Sequence, residues 1–316
     1  MPKSAELNTA KCDKKDEFYT NLDTIENELK HYVGQFAGKT VYCNCDNPDE
    51  SNFWVYLHTH FDELRLKSLI ATFYNPNGQG GKKSYTGGND LDCQVGTIET
   101  LNGNGDFRSD ECQMILNQAD IVITNPPFSL FREYIKLLVF QNKRFLVLGN
   151  INAITYKDFF PLIQDNKIWL GASIHSGDIE FRVPQDYPLN AATVRIDGVG
   201  NKYIRVKGIR WYTNLDMDAR QNILLLEKKY TPEEYPKYSN YDAININKTS
   251  DIPADYYQPM GVPITFLDKY NPEQFEILGI SGTLAKPIVI NGSRKSGRFY
   301  IQDKRLYDRI VIQRKA

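Results

Sequence analysis

The chain is predicted to be an α/β protein on a doubly wound, mixed but mainly parallel sheet, followed by a smaller β-rich and irregular region. Three observations predict this. Between Lys39 and Leu170, short apolar, β-branched runs alternate with segments of helical apolar spacing. Alternation at that length favours a parallel sheet flanked by helices. One run, Ala119–Thr124, stops abruptly at Asn125-Pro126-Pro127-Phe128. Two prolines can neither donate to a ladder nor continue a strand, so the backbone leaves the sheet at a fixed angle. After Ala172 the segments become short, aromatic and β-rich.

The elements follow in order. Residues 1–15 are polar and lysine-bearing, the composition of a loose arm. A helix is expected from an Asp23 cap, with Glu26 three residues on and Ile25, Leu29, Val33 and Phe36 on one face, ended by Gly38. Lys39–Cys45 reads as a first strand, followed by the loop CDNPDESNF and a helix to about Leu64. Ser68–Tyr74 is a second strand, and the Gly-, Asn- and Lys-rich stretch 75–92 reads as a long loop. A helix over Asp110–Asn117 precedes Ala119–Thr124, and Ser129 is the expected cap of a helix over Leu130–Val139. Arg144–Gly149 and Lys167–Leu170 are further strands, with a helix over Tyr156–Ile163 between them. Val194–Arg210 reads as a hairpin turning at Asp197-Gly198 and Gly200-Asn201, and Gly261–Leu267 as an apolar strand. This places a core over residues 16–175 and a second region over 176–316, with 261–276 packing back on the core.

Whole-chain properties exclude more than they select. No apolar run among the 316 residues approaches a membrane span, and the polar N-terminus lacks a signal peptide's pattern. Net charge is −1, which decides nothing about a polyanionic partner. The five cysteines (Cys12, Cys43, Cys45, Cys93, Cys112) are odd in number and lack paired CxxC spacing, so neither a disulfide framework nor a metal site is expected. That usage suits a reducing cytoplasm.

The chemistry concentrates at residues 125–128. Strand, rigid polar loop and helix in that order put Asn125 at the carboxyl end of a strand, where open α/β sheets bind ligands. Asn125 offers a side-chain carbonyl and Pro126 a backbone carbonyl on a pre-set backbone. Two converging acceptors suit an exocyclic amino group, and accepting both hydrogens frees the nitrogen lone pair for attack. Phe128 offers a face on which a flat base can stack. A plain turn is the alternative reading of these four residues.

With those residues in view, the chain resembles the EcoRI-type DNA adenine-N6 methyltransferases. The resemblance is carried by DEFYT (Asp16–Thr20), VYCNCDNP with SNF (Val41–Phe53), GDFRS (Gly105–Ser109), ADIVITNPPFSLFREY (Ala119–Tyr134) and GNINAITYKDFF (Gly149–Phe160). It continues through DNKIWLG (Asp165–Gly171), YPKYSNYDAININKT (Tyr235–Thr249) and GVPITFLDKYNPEQFE (Gly261–Glu276). It implies a Rossmann-like methyltransferase fold and S-adenosylmethionine as methyl donor. Phe18, Tyr19 and Thr20 would pack over the methionine end of the donor. Asp46 would hold its amino group, with Pro48, Ser51 and Asn52 beside its carboxylate. Asp106 would accept from the adenine amino group and Phe107 pack on its ring. The glycine-rich first turn of most methyltransferases is absent, and no acidic residue ends the second strand to hold the ribose. Catalysis would fall to Asn125, Pro126, Pro127 and Phe128, with Phe181 adding wall to the pocket of a flipped-out base.

The resemblance also implies double-stranded DNA as the partner, with a GAATTC-like site the leading guess. The protein would be a monomeric, cytoplasmic, bacterial or phage-encoded modification enzyme, with or without a cognate restriction endonuclease. Phosphate contacts are expected from Lys82 and Lys83 in the 75–92 loop, and from Arg195, Lys202, Arg205, Lys207 and Arg210 on the basic hairpin. The C-terminal stretch from Lys286 carries nine Lys/Arg against two acids. On charge alone, Arg294, Lys295 and Arg298 are candidates to grip a polyanion. Other Asn-Pro-Pro-aromatic methyltransferases act on RNA or on a protein amide, and a non-catalytic DNA-binding protein on the same scaffold is a further alternative. A restriction nuclease would need clustered carboxylates, and none stands out.

Overall fold

The computed structural model describes residues 18–45, 47–88, 96–175, 178–185, 187 and 194–315. The expected N-terminal arm lies outside them. The chain divides into two compact units. The first runs to Ile151 and resumes over Gly171–Leu215; the second comprises Asn152–Leu170 and Asp216 onward. The division therefore falls elsewhere than at residue 175.

The first unit begins with β1 (Tyr19–Thr20) and α1 (Leu22–Leu29), then β2 (Thr40–Cys43), α2 (Asn52–Thr59), β3 (Ser68–Phe73), β4 (Gly81–Tyr85) and β5 (Thr97–Thr100). Next come α3 (Asp110–Gln118), β6 (Ile121–Thr124), α4 (Phe131–Phe140) and β7 (Arg144–Asn150). An excursion into the second unit carries α5 (Phe160–Gln164) and β8 (Trp169–Leu170). The first unit then resumes with β9 (Asp178–Val183), β10 (Val194–Ile196), β11 (Lys202–Lys207) and β12 (Ile209–Thr213).

Its large sheet has the order β5-β4-β3-β2-β6-β7-β12. The four central strands β3, β2, β6 and β7 are parallel, while β4, β5 and β12 add antiparallel edges. The expected mixed sheet is present, with its parallel part confined to the centre. Every residue of β2 and β6 is buried, which is why both read as continuous apolar runs rather than alternations. Val41 pairs with Ile121 and Tyr42 with Val122, so both strands end on the same edge. At their starts, Thr40 N–H donates to Asp120 Oδ2 at 2.8 Å and Asp120 N–H to the Thr40 carbonyl at 2.9 Å. On α4, Phe131, Tyr134, Ile135 and Leu138 form the buried face, the spacing of one helical stripe. A second sheet, β1-β9-β11-β10, is antiparallel throughout.

Several expectations need correction. No side-chain cap starts α1: Asn21 precedes it, and its amide instead donates to the Glu180 carbonyl at 2.8 Å. The helix ends at Leu29, leaving Val33 exposed. α2 stops at Thr59 and short turns carry the chain on to Leu64. Ser129 is not the cap of α4; Leu130 holds that position without a capping bond. The helix expected over Tyr156–Ile163 starts only at Phe160: a 3-10 turn (Ile151–Thr155) and a further turn over 157–159 precede α5.

The stretch 75–92 is not all loop, because residues 81–85 form β4 between β3 and β5. There Lys83 is buried, its ammonium 3.2 Å from Asp49 and over the Trp54 ring. Such a lysine is a packed ion-pair member rather than a surface phosphate contact.

The second unit centres on a sheet of β13 (Ile244–Asn245), β14 (Met260–Pro263), β20 (Arg309–Arg314) and β15 (Phe275–Ile280) in that order. The apolar strand expected over 261–267 ends at Pro263 and continues as a 3-10 turn. Tyr238 stacks on Phe299 at 4.4 Å, with Ala243 and Val311 in the same cluster. The short helix α6 (Ser281–Leu284) leads to two small hairpins, β16 (Ile288–Ile290) with β17 (Ser293–Lys295) and β18 (Tyr300–Ile301) with β19 (Lys304–Arg305).

Candidate active site

The site lies where β2 and β6 end in the first unit. β6 delivers Asn125 to the carboxyl edge, buried at 7% exposure, with Pro126 also buried and Pro127 and Phe128 half-buried. The prolines stop the strand, and the Leu130 N–H closes the turn on the Pro127 carbonyl at 2.9 Å. Asn125 Nδ2 donates to the Phe18 carbonyl at 2.6 Å. A carbonyl can only accept, so this bond fixes which end of the amide is nitrogen and orients Oδ1 as the acceptor.

Phe18 brings more than its carbonyl. Its ring lies 5.5 Å from Phe128, 5.8 Å from Phe181 and 6.2 Å from Tyr187. Phe128 and Phe181 meet edge to face at 6.2 Å. β1 holds Phe18 there by pairing Thr20 with Phe181 and Tyr19 with Arg182 on β9. A cluster of rings beside Asn125 is therefore assembled from three separate stretches of chain, and Phe18, expected over the methionine end of the donor, is part of it.

The residues expected around the methionine end of the donor also converge. Asn52 Nδ2 donates to the Thr20 carbonyl at 2.7 Å. Ser51 is the N-cap of α2, accepting from Phe53 N–H at 3.2 Å. The Thr20 hydroxyl is buried and has no hydrogen-bond partner among the described residues. Pro48 is buried; Asp46 lies outside the described residues. Arg182 crosses the Tyr19 ring and reaches the Glu50 carboxylate at 3.6 Å, tying β9 to this loop.

The turn before α3 carries Asp106 and Phe107. Phe107 is buried, edge-on to Tyr134 at 5.0 Å. Asp106 is bidentate with Arg108, at 2.9 Å to Nε and 2.6 Å to Nη2, and that hydrogen bond raises the guanidinium pKa further. Two residues here were not anticipated. Asn44, buried just past β2, accepts through Oδ1 from the Tyr134 hydroxyl. Burial, the largest cause, pushes the Tyr134 pKa well up, so the hydroxyl is held as a donor. Asn44 immediately follows the first buried strand, and that position was the available signal; Tyr134 needed the register of α4.

The basic candidates separate sharply. Arg195 pairs with Glu180 at 2.6 Å and Arg205 approaches the same carboxylate at 4.0 Å. The Arg195 hydrogen bond holds Glu180 below its usual carboxylate value. Lys207 pairs with Asp178 at 3.7 Å, and Lys202 donates to the Gln185 and Tyr187 carbonyls. Arg210 is buried and donates to the Ile209 and His175 carbonyls. Lys82 pairs with Glu99 at 3.1 Å and Arg298 with Asp308 at 2.9 Å. The hairpin is therefore not a bare basic edge, because β9 supplies two acids to it.

An open α/β sheet with Asn-Pro-Pro-Phe at the carboxyl end of a central parallel strand, beside a wall of aromatic rings, defines the class of amino-group methyltransferases. Within that class the chain belongs to the EcoRI-type adenine-specific methyltransferase family, whose profile, described as "Adenine-specific methyltransferase EcoRI", matches residues 6–315. It is 47% identical to the Escherichia coli protein named Type II methyltransferase M.EcoRI, over 95% of this chain and 97% of that one. It is 40% identical to Type II methyltransferase M.MgeORF184P of Mycoplasma genitalium, and 36% identical to Type II methyltransferase M.MpnI of Mycoplasma pneumoniae, each over 98% of both chains. No solved structure matches the chain. No helix among the described residues is long and apolar enough to cross a membrane.

Proposed function

We propose that the protein is a site-specific DNA methyltransferase of restriction-modification type. It moves a methyl group from S-adenosylmethionine to N6 of an adenine flipped out of double-stranded DNA. The observation that carries this reading is the Asn125 amide, its nitrogen pinned to Phe18 O so that Oδ1 is left as the acceptor, with the Phe18 ring 5.5 Å from Phe128. The family and its Type II relatives support DNA as the substrate.

The residues present fit the methyl donor. The buried Thr20 hydroxyl has no partner among the described residues, and an uncompensated buried hydroxyl costs about 1–3 kcal/mol. Thr20, Ser51 and Asn52 would hold the methionine end of the donor, Asn52 being bonded to the Thr20 carbonyl, and Phe107 its adenine end, with Arg108 sharing the Asp106 carboxylate. When bound, S-adenosylmethionine supplies a methyl group on a sulfonium, which leaves as a neutral thioether. The chain's own work is positioning. Asn125 Oδ1 and the Pro126 carbonyl accept from N6 of the flipped base and keep its lone pair available. The rings of Phe128 and Phe181 cover its face and exclude water. The Rossmann-like arrangement of the sheet, action as a monomer, and a GAATTC-like site belong to the same reading.

The test is transfer of labelled methyl from S-adenosylmethionine to duplex DNA, RNA and protein offered in parallel. Label in duplex DNA is expected. Label only in RNA or protein would overturn the substrate class, and donor binding without transfer to any of them would favour a non-catalytic DNA-binding protein.

A further inference from the structure

Most basic side chains expected to face DNA are already engaged within the protein. Two are not: Arg294 and Lys295 have no ion pair or side-chain hydrogen bond among the described residues, and both are exposed on β17. Their setting is a two-stranded ribbon. β16 and β17 pair Ile288 with Lys295, Val289 with Arg294 and Ile290 with Ser293. The turn between them is Asn291-Gly292, with φ of +47° and +72°. Two successive positive φ values make a two-residue turn whose twist matches that of the strands it joins.

The ribbon is held at its base. Asn240 is buried, and its Nδ2 donates to the Lys286 carbonyl at 2.8 Å and the Arg298 carbonyl at 2.9 Å. Asn240 Oδ1 accepts from Tyr300 N–H at 3.1 Å, and Lys286 N–H returns to the Asn240 carbonyl at 3.1 Å. Residues 287–297 therefore leave and return at one side chain, as an arm that projects while its feet stay tied. The pair on one face of this arm is unusual. Val289, 67% exposed, stands opposite Arg294. A large apolar side chain beside an arginine that no acid engages suits a surface presenting both methyl groups and paired acceptors.

Resting on the DNA methyltransferase reading above, we propose that the β16–β17 ribbon enters the major groove of the target duplex and reads bases. The major groove admits a two-stranded ribbon. The Arg294 fork matches the O6 and N7 acceptors of guanine, and Val289 offers apolar contact to a thymine methyl group. Lys295, on the opposite ribbon face with Ile288, meets a phosphate. Specificity thus comes in part from an arm remote in sequence from the catalytic loop.

The experiment measures kcat/KM on a duplex carrying the mapped site and on duplexes with each base pair of the site replaced in turn. Arg294→Ala should reduce discrimination at one guanine-containing pair by between about tenfold and a hundredfold, with discrimination elsewhere unchanged. Arg294→Lys keeps the charge but not the fork, so it should fail to restore discrimination. Uniform weakening on every duplex, rescued by Arg294→Lys, would mean a phosphate contact and overturn base reading. Unchanged discrimination in Arg294→Ala, with wild type still methylating a single site, would overturn the ribbon's role alone. A wild-type protein that modifies RNA but no duplex would overturn the parent reading together with this one.

Discussion

Glu28 makes the sharpest quantitative case for how the first unit is held together. It is fully buried on α1, and four donors converge on its carboxyl group. Oε1 accepts from the Tyr32 hydroxyl and from Ala172 N–H, each at 2.7 Å. Oε2 accepts from Ser173 N–H at 2.7 Å and from Ser173 Oγ at 2.5 Å. Two oxygens that only accept can meet all four donors; an amide cannot, because each oxygen meets one backbone N–H and one hydroxyl, and although the hydroxyl could turn to accept, the N–H would face the NH2. Glu28→Gln thus loses at least one hydrogen bond to a charged group, worth about 1.5–3 kcal/mol, and leaves a buried N–H opposed to an N–H at about 1–3 kcal/mol more. The expected cost is about 3–5 kcal/mol, a large share of a domain's net stability of roughly 5–15 kcal/mol. Thermal unfolding followed by circular dichroism should show the main transition lowered by on the order of 10 °C. A shift under about 2 °C would refute the reasoning, since that is the scale of one dispensable surface contact.

Further predictions follow from the same geometry. Gly171→Ala places a Cβ against Glu28 Oε1 and Trp211 Cβ; it should cost about 1–3 kcal/mol or more, and urea unfolding should show less than additive loss when it is combined with Glu28→Gln. Tyr134→Phe leaves the buried Asn44 carbonyl without its hydroxyl donor, costing about 1–3 kcal/mol, and calorimetric titration should show weaker S-adenosylmethionine binding. Burial raises the pKa of Tyr32, Tyr42 and Tyr134 above the ordinary 10.0. The folded chain therefore keeps these protons where the unfolded chain loses them. Stability should hold below pH 10 and fall as pH rises above it, and a chain equally stable at pH 11 and pH 9 would contradict this. Phe128→Ala should raise KM for DNA more than it lowers kcat, and an unchanged KM would remove its base-stacking role.

How much was legible in the sequence depended on whether a signal was local. The strand before Asn125 and the loop after it were readable because β6 is buried on both faces and two prolines mark its end. The aromatic wall was readable only as separate fragments, since Phe18, Phe128 and Phe181 meet through the pairing of β1 with β9. β4 was hidden by its own composition. Gly81-Lys82-Lys83-Ser84 reads as solvated loop until Asp49 and Trp54 arrive from elsewhere to bury Lys83. Counting charges along the basic hairpin found only Asp197, whereas strand pairing sets Glu180 opposite Arg205 and Asp178 opposite Lys207. The basic C-terminal stretch likewise blended two roles: the exposed ribbon of Arg294 and Lys295, and the buried Ile310-Val311-Ile312 of β20 inside a sheet.

The central claim is that Asn125 presents acceptors to the amino group of an adenine in DNA. Its most direct test is N6-methyladenine quantified by mass spectrometry after incubating unmethylated genomic DNA and S-adenosylmethionine with wild-type protein or Asn125→Ala. The account predicts N6-methyladenine confined to one recognition sequence with wild type, and almost none with Asn125→Ala, although the variant still binds S-adenosylmethionine. Equal methylation by the two proteins, or loss of S-adenosylmethionine binding in the variant, would contradict it.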